Sequence, residues 1–240
     1  MAVITLEIKN GIALVSMCNG GNSHNLVFSR EMNDILDLVA GDPGVSSMVL
    51  TSTDEKLFSV GIDVDWMSKQ FQEKGHAEIK EFMNNMNSVF KKLLLLPVPA
   101  IAAINGHAFG NGAIISCACD FRFMRSDRGF FCFPEVDLGI PFLPGMLAFV
   151  KKAIPRYKFN EMYLSGRRIG APELAEHHII EKACASSEEL MNEAMAFAAT
   201  FTKKKGIFGE LKKRLYKDVI AVMDSEDPPV IESLKLFMTE

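Results

Sequence analysis

A chain of 240 residues is long enough to bury a sizeable core, and its length admits one large domain or two small ones; it reads as one. Apolar residues make up 48% and charged residues 23%, an ordinary globular balance, and a net charge of -4 leaves no electrostatic footprint for nucleic acid. The five cysteines, at 18, 117, 119, 132 and 184, contain no C-x-x-C pair, which argues against a disulfide framework and a zinc site and points to a reducing compartment.

Val3 to Ile8 and Ile12 to Met17 read as two strands around Asn10-Gly11, a type I′ hairpin signal, and Phe28 to Ala40 has helix spacing ended by Gly41-Asp42-Pro43-Gly44. Met48 to Thr51 is a short strand, followed by a loop over Phe58 to Asp63. Helix spacing resumes from Ala77 to Leu96 and stops at Pro97-Val98-Pro99. The next strand, Ala100 to Ile104, enters a Gly-rich turn that opens directly into an apolar helix. The first N–H groups of a helix have no intrahelical partner and sit at the positive end of its dipole, so Gly110, Asn111 and Gly112 are placed to hold developing negative charge. Phe121 to Arg125 is a further strand, and from about Leu143 the chain is mainly helical, with Ser186 and Glu189 spaced as a capping box before Leu190 to Phe201. No Gly/Ser linker or low-complexity tract divides it. Strand, strand, helix units returning about every fifty residues predict a coiled α/β core with a helical C-terminal region.

Three segments stand out together: Phe58-Ser59-Val60-Gly61-Ile62-Asp63, Gly110-Asn111-Gly112, and Phe133-Pro134-Glu135-Val136-Asp137-Leu138-Gly139-Ile140-Pro141. With them the chain resembles the crotonase (enoyl-CoA hydratase/isomerase) family from about Gly11 to Gly170. The resemblance implies a ββα spiral core over residues 1–190, a C-terminal helical trimerisation region of the same domain over 191–240, and homotrimers or pairs of trimers. It also implies an acyl-CoA thioester as substrate. Coenzyme A then arrives as part of the substrate, and no separate cofactor, metal or membrane partner is expected.

Removing a proton from C2 of an acyl-CoA places charge on the thioester oxygen, and two backbone N–H groups aimed at that oxygen stabilise the enolate. By the resemblance the donors fall on Ile62 and Asn111, with Lys56, Phe58, Val60, Gly61, Asp63, Gly110 and Pro134 as further substrate-binding positions. The family often has three glycines where Gly110-Asn111-Gly112 stands, so Asn111 departs from the commonest form; its backbone N–H remains, and a glycine there is expected to serve as well. Glu135 matches the family's catalytic Glu, and its apolar neighbours in sequence favour a raised pKa suited to moving protons. Hydratases of the family carry a second Glu one helical turn beyond the Gly-rich turn, where this chain has Ile114. One base can take a proton from C2 and return it to C4, which needs no water, so the pattern implies an enoyl-CoA delta isomerase. Met124-Arg125-Ser126-Asp127-Arg128-Gly129-Phe130 looks like the corresponding segment of the plant peroxisomal enoyl-CoA isomerases. Hydration or thioester hydrolysis, with an acid such as Asp137 managing water, is the competing enzymatic reading, and a non-catalytic acyl-CoA-binding subunit is the competing reading from another class.

The other polar residues take structural readings first. Asp63, Asp127 and Asp137 suit turns and surface ion pairs, and His24 and His107 suit hydrogen-bonded positions beside the motifs. His177-His178 lacks a second ligand pair at metal spacing, and Cys117 and Cys119 lie two apart on a helix, as core residues pointing away from one another. Trp66, Met67 and Met83 to Met86 read as core that could also wall a fatty acyl chain, and Lys203-Lys204-Lys205 as a solvated helix end. No apolar run reaches a membrane span, Met1 precedes a strand-like pattern rather than a secretory leader, and Phe237-Met238-Thr239-Glu240 is not the S-K-L address. Cytoplasm is therefore the expected location.

Overall fold

The structure, a computed structural model, describes residues 2–73 and 75–234. The chain winds as a spiral in which the second and third turns each add one strand to a main sheet and a shorter one to a second layer, while the first and last turns each add two strands to the main sheet. The first turn holds β1 (Ile4–Lys9), β2 (Ile12–Met17), β3 (Ser23–His24) and α1 (Leu26–Gly41). The second holds β4 (Ser47–Ser52), β5 (Leu57–Ser59), β6 (Gly61–Ile62), α2 (Val64–Gln72) and α3 (His76–Leu95). The third holds β7 (Ala100–Ile104), β8 (His107–Phe109) and α4 (Asn111–Ala118). The fourth begins with β9 (Phe121–Arg125), β10 (Phe131–Cys132) and α5 (Glu135–Leu138), and continues through α6 (Pro144–Ala153), α7 (Arg156–Ser165), α8 (Ala171–Glu176) and β11 (Lys182–Cys184). Four helices close the described chain: α9 (Ser187–Ala199), α10 (Lys205–Leu215), α11 (Lys217–Ser225) and α12 (Asp227–Ser233).

The main sheet runs β1-β2-β4-β7-β9-β11, antiparallel only at the β1/β2 hairpin, which Asn10 and Gly11 turn with φ of 53° and 78°. Its central strands are buried on both faces, as parallel strands under helices must be, and they read as unbroken apolar runs such as Ala-Ile-Ala-Ala-Ile in β7. Alternation along the strands sorts these residues. Val49, Ile101, Ala103 and Phe123 pack with Leu190, Ala194 and Ala198 of α9, while Met48, Leu50, Ala102, Ile104 and Met124 face the larger core with α1, α3 and α4. The second layer is β10-β8-β5, and β3 pairs with β6.

The loop expected over Phe58 to Asp63 is instead built of β5 and β6, and it leads into a helix, α2, that periodicity did not separate. Strands of two and three residues are too short for a period to emerge, so their pairing with β8 and β3 defines them. At α9, Ser186 caps the Glu189 N–H as expected, while the Glu189 carboxylate reaches one residue further back, accepting from the Ala185 N–H. Helix α4 is anchored at its C-terminal end, where Arg122 and Lys152 donate to the Cys119 carbonyl at 3.0 and 2.7 Å. Among the described residues no helix is long and apolar enough to cross a membrane. Residues 237–240, on which part of the location reading rests, lie outside the described residues.

Candidate active site

The backbone of β6 lies directly against the turn that starts α4. Gly61 has φ of +86°, and a Cβ on it would stand 2.7 Å from the Phe109 carbonyl oxygen and 3.0 Å from the Asn111 nitrogen, so only glycine permits the approach. Gly110, the N-cap of α4 with φ of 51° and ψ of -121°, supplies no side-chain cap, which leaves the first amides of the helix without the usual partner. Ile62 and Asn111 thus meet at one place, and both line the same two adjoining chambers.

Glu135 opens the four-residue helix α5, which Gly139 closes in a left-handed conformation. This short helix turns the carboxyl group toward the α4 turn: Oε1 lies 3.2 Å from where a Cβ on Gly110 would be. Its other oxygen, Oε2, is buried with no hydrogen-bond partner. Burial raises the pKa of Glu135 from the ordinary carboxyl value to about 7, outweighing a backbone hydrogen bond that acts to lower it. An unpartnered carboxylate oxygen in such a setting is costly to stability, and it is free to accept a proton from a bound molecule.

One chamber is walled by Phe82, Met83 and Met86 of α3, Ile114 of α4, and Phe142 and Met146. The other is walled by Val60, Val64, Met67, Phe71, Pro134 and Leu138. Ile62, Asn111, Glu135 and Ile140 belong to both. Among the described lining residues only Asn111, Glu135 and Ser68 carry polar side chains, so Glu135 is the one carboxylate among them. An apolar cavity with a few convergent polar groups is the usual form of a small-molecule site.

Other expected positions fall outside these walls. Phe58 is fully buried in the core, which corrects its reading as a substrate contact. Asp63 caps α2 by accepting from the Trp66 N–H at 3.0 Å and also accepts from the Asn25 side chain, so it too is held away from the cavity. Lys56 is exposed, and its carbonyl accepts from the His107 N–H. Asp137, the reserve acid, is exposed beside Gly166, and Asp127 pairs with Arg125 at 2.5 Å. His107 accepts from the Phe130 N–H outside the chambers, His177 meets the Tyr157 hydroxyl, and Lys205 donates to the Val39 carbonyl at the end of α1. Cys117 and Cys119 are buried, with thiols pushed up by desolvation to about 11 and about 12. The methionines of α3 serve both as core and as chamber wall.

Sequence reasoning missed the arrangement around His24. This residue is fully buried, its ring stacked on Phe28, with Nε2 3.1 Å from Ser59 Oγ and Nδ1 3.3 Å from Asn111 Nδ2. The two contacts span 35 and 87 residues of sequence, and no local pattern announces them.

The model of the family described as enoyl-CoA hydratase/isomerase matches residues 7–225. Enoyl-CoA delta isomerase 3 of Arabidopsis thaliana is 32% identical over 234 residues, covering 92% of this chain and 94% of that protein. The carnitinyl-CoA dehydratase of Escherichia coli strain K12 is 30% identical over 189 residues, 79% of this chain and 70% of its own length. Among solved structures, an enoyl-CoA hydratase from Bacillus halodurans superposes with a TM-score of 0.84 at 18% identity, covering 98% of this chain and 97% of that one. With that fold, and a match that spans all three motifs around the cavity, the chain belongs to the enoyl-CoA hydratase/isomerase family.

Proposed function

We propose that this chain is an enoyl-CoA delta isomerase that converts 3-enoyl-CoA into trans-2-enoyl-CoA. One observation carries the reading: Glu135, the single carboxylate among the described lining residues, has a buried and unpartnered oxygen and lies against the α4 turn in a cavity whose other described walls are almost wholly apolar. The Glu135 carboxylate takes a proton from C2, and the C–H electron pair moves toward the thioester, leaving a dienolate whose negative oxygen accepts from the Ile62 and Asn111 amides. The carboxylic acid so formed then gives the same proton to C4, the double bond settles between C2 and C3, and the carboxylate is restored. Nothing is oxidised and no water enters. Val60, Gly61, Gly110 and Pro134 shape the passage for the thioester, and the chamber walled by the α3 methionines receives the acyl chain. Coenzyme A enters as part of the substrate, with Lys56 on the approach, and the reaction as written needs no further cofactor. The working form is a homotrimer or a pair of trimers in the cytoplasm.

Likeness to two Arabidopsis thaliana delta isomerases, at 32% and 30% identity, supports this reading. Likeness to a dehydratase supports the alternative, addition or removal of water. Ile114, which occupies the wall near Glu135 without any group to hold water, favours isomerisation. Purified protein incubated separately with 3-hexenoyl-CoA and 2-hexenoyl-CoA decides between them by product mass and retention. The first substrate should give its isomer at unchanged mass, and rapid formation of 3-hydroxyacyl-CoA from the second would overturn the proposal.

A further inference from the structure

Four polar contacts around His24 form a continuous chain. Ser59 Oγ donates to the Asn22 carbonyl at 2.7 Å and accepts from the Gly61 N–H at 3.1 Å. A hydroxyl has one proton, and here it goes to Asn22; the contact with His24 Nε2 at 3.1 Å therefore has the imidazole as donor. A neutral ring protonated on Nε2 has Nδ1 free to accept, and Asn111 Nδ2 stands 3.3 Å away. The bonds thus run from the side chain of Asn111, through the imidazole and Ser59, to the amide of Gly61, the residue just before Ile62.

We infer that His24 is a positioning residue that fixes the spacing of the Ile62 and Asn111 amides. The inference rests on the reading of those amides as an oxyanion hole. They come from different turns of the spiral that the β5–β8 pairing joins as far as Ser59 and Ala108; past the end of that pairing they meet where Gly61 touches the 109–111 backbone and Gly112 touches Ser59, contacts that stop them approaching but do not stop them parting. The His24 chain supplies that second restraint, linking the side chain of one donor residue to the backbone beside the other. It also gives the Asn111 side chain a use: a glycine there, which sequence alone suggests would serve as well, leaves Nδ1 of a buried imidazole with no donor. Burial lowers the His24 pKa to about 3, so the ring stays neutral and the chain of bonds keeps one direction across the working pH range.

The test compares wild type with Ser59→Ala, His24→Leu and Asn111→Gly, using infrared spectroscopy of bound [1-¹³C]hexanoyl-CoA, a saturated thioester that cannot isomerise. Wild-type binding should lower the carbonyl stretching frequency, and each variant should lose part of that shift. With 3-hexenoyl-CoA, kcat should fall by about ten- to a hundredfold while KM stays within about threefold, since the donors are worth most to the charged transition state. His24→Leu combined with Asn111→Gly should cost little more than His24→Leu alone, because both break the same chain. Ser59→Ala, the smallest change, decides alone if the His24 variants do not fold. A wild-type carbonyl shift preserved in Ser59→Ala, with kcat within twofold, would overturn the inference, as would absence of any shift in the wild type. Failure of the wild type to isomerise 3-hexenoyl-CoA would sink only the proposed reaction, because the spectroscopic arm needs no turnover.

Discussion

The carboxyl group of Glu135 pays in stability for what it offers in reactivity. Its pKa rises on folding, so its favourable contribution to stability is complete below the unfolded value and is lost as pH climbs through about 7. Above that pH the native chain holds an unpartnered buried carboxylate. Glu135→Gln should therefore raise Tm by a few degrees at pH 8 and much less at pH 5, while lowering kcat by about a hundred- to ten-thousandfold with acyl-CoA affinity retained. Thermal denaturation at the two pH values and a Kd for hexanoyl-CoA check the three parts; a rate loss below tenfold would place the base elsewhere. For wild type, the base must be ionised to act, so kcat/KM should fall on the acid side of pH 7, about tenfold per pH unit. Replacing Ile114 by Glu would set a second carboxylate in the same apolar wall, and like charges at close range raise one pKa strongly. The acid limb of Ile114→Glu should move away from pH 7, with only weak hydration gained and some loss of Tm.

Helix α4 and strand β6 bring their ends together through a contact that tolerates no side chain at Gly61. Gly61→Ala adds a Cβ 2.7 Å from a backbone oxygen at positive φ, so β6 must shift; kcat should fall by roughly a hundredfold, and Tm should drop as well. Unchanged kinetics would separate this contact from the chemistry. A second junction joins α12 to α6, where the buried carboxyl group of Asp227 accepts from the Gly145 N–H at 2.7 Å and interacts with the Asn87 side chain. Burial raises the Asp227 pKa to about 6, so stability from this group is present at low pH and is lost as pH rises through that value. Asp227→Asn keeps an acceptor for Gly145 and removes the charge. Its unfolding free energy should exceed wild type by about 1–2 kcal/mol at pH 8 and by less at pH 5, measured by urea titration. An equal effect at both pH values would remove titration from the explanation. These contacts mark where reading from sequence stops. Strands β2, β7 and β9 were expected at the bounds they have, because turn residues fence their apolar runs. Glu135 and the Gly110 turn were read through their motifs. Strands β5 and β6 were not, since pairing alone defines so short a strand, and the His24 chain and the Asp227–Gly145 bond join residues too far apart in sequence for any period or motif to relate them.

Assembly is the remaining property on which the outer helices bear. One side of α10 is tied to the chain: Lys212 donates to the Leu93 carbonyl at 2.9 Å and to Asp120 at 2.8 Å, and Gly209 lies against Pro97. The side opposite presents Ile207, Leu211 and Leu215, spaced four apart and 57%, 58% and 71% exposed. Isolated exposed apolar residues need no explanation, but a stripe of three along one helix face is what an interface buries. A trimer, expected from the resemblance, would place this stripe against a second copy of the chain and make the stability of the helix depend on protein concentration. Light scattering should give a mass of three or six chains for wild type, and Leu211→Glu with Leu215→Glu should shift it toward one chain and lower Tm, because charges buried unpaired at the interface oppose association. Since neither residue touches the chambers around Glu135, loss of activity in the dissociated variant would mean that a neighbouring copy supports the cavity, and full activity would mean that each spiral works alone. A wild-type mass of one chain at micromolar concentration would rule out the stripe as a trimer contact.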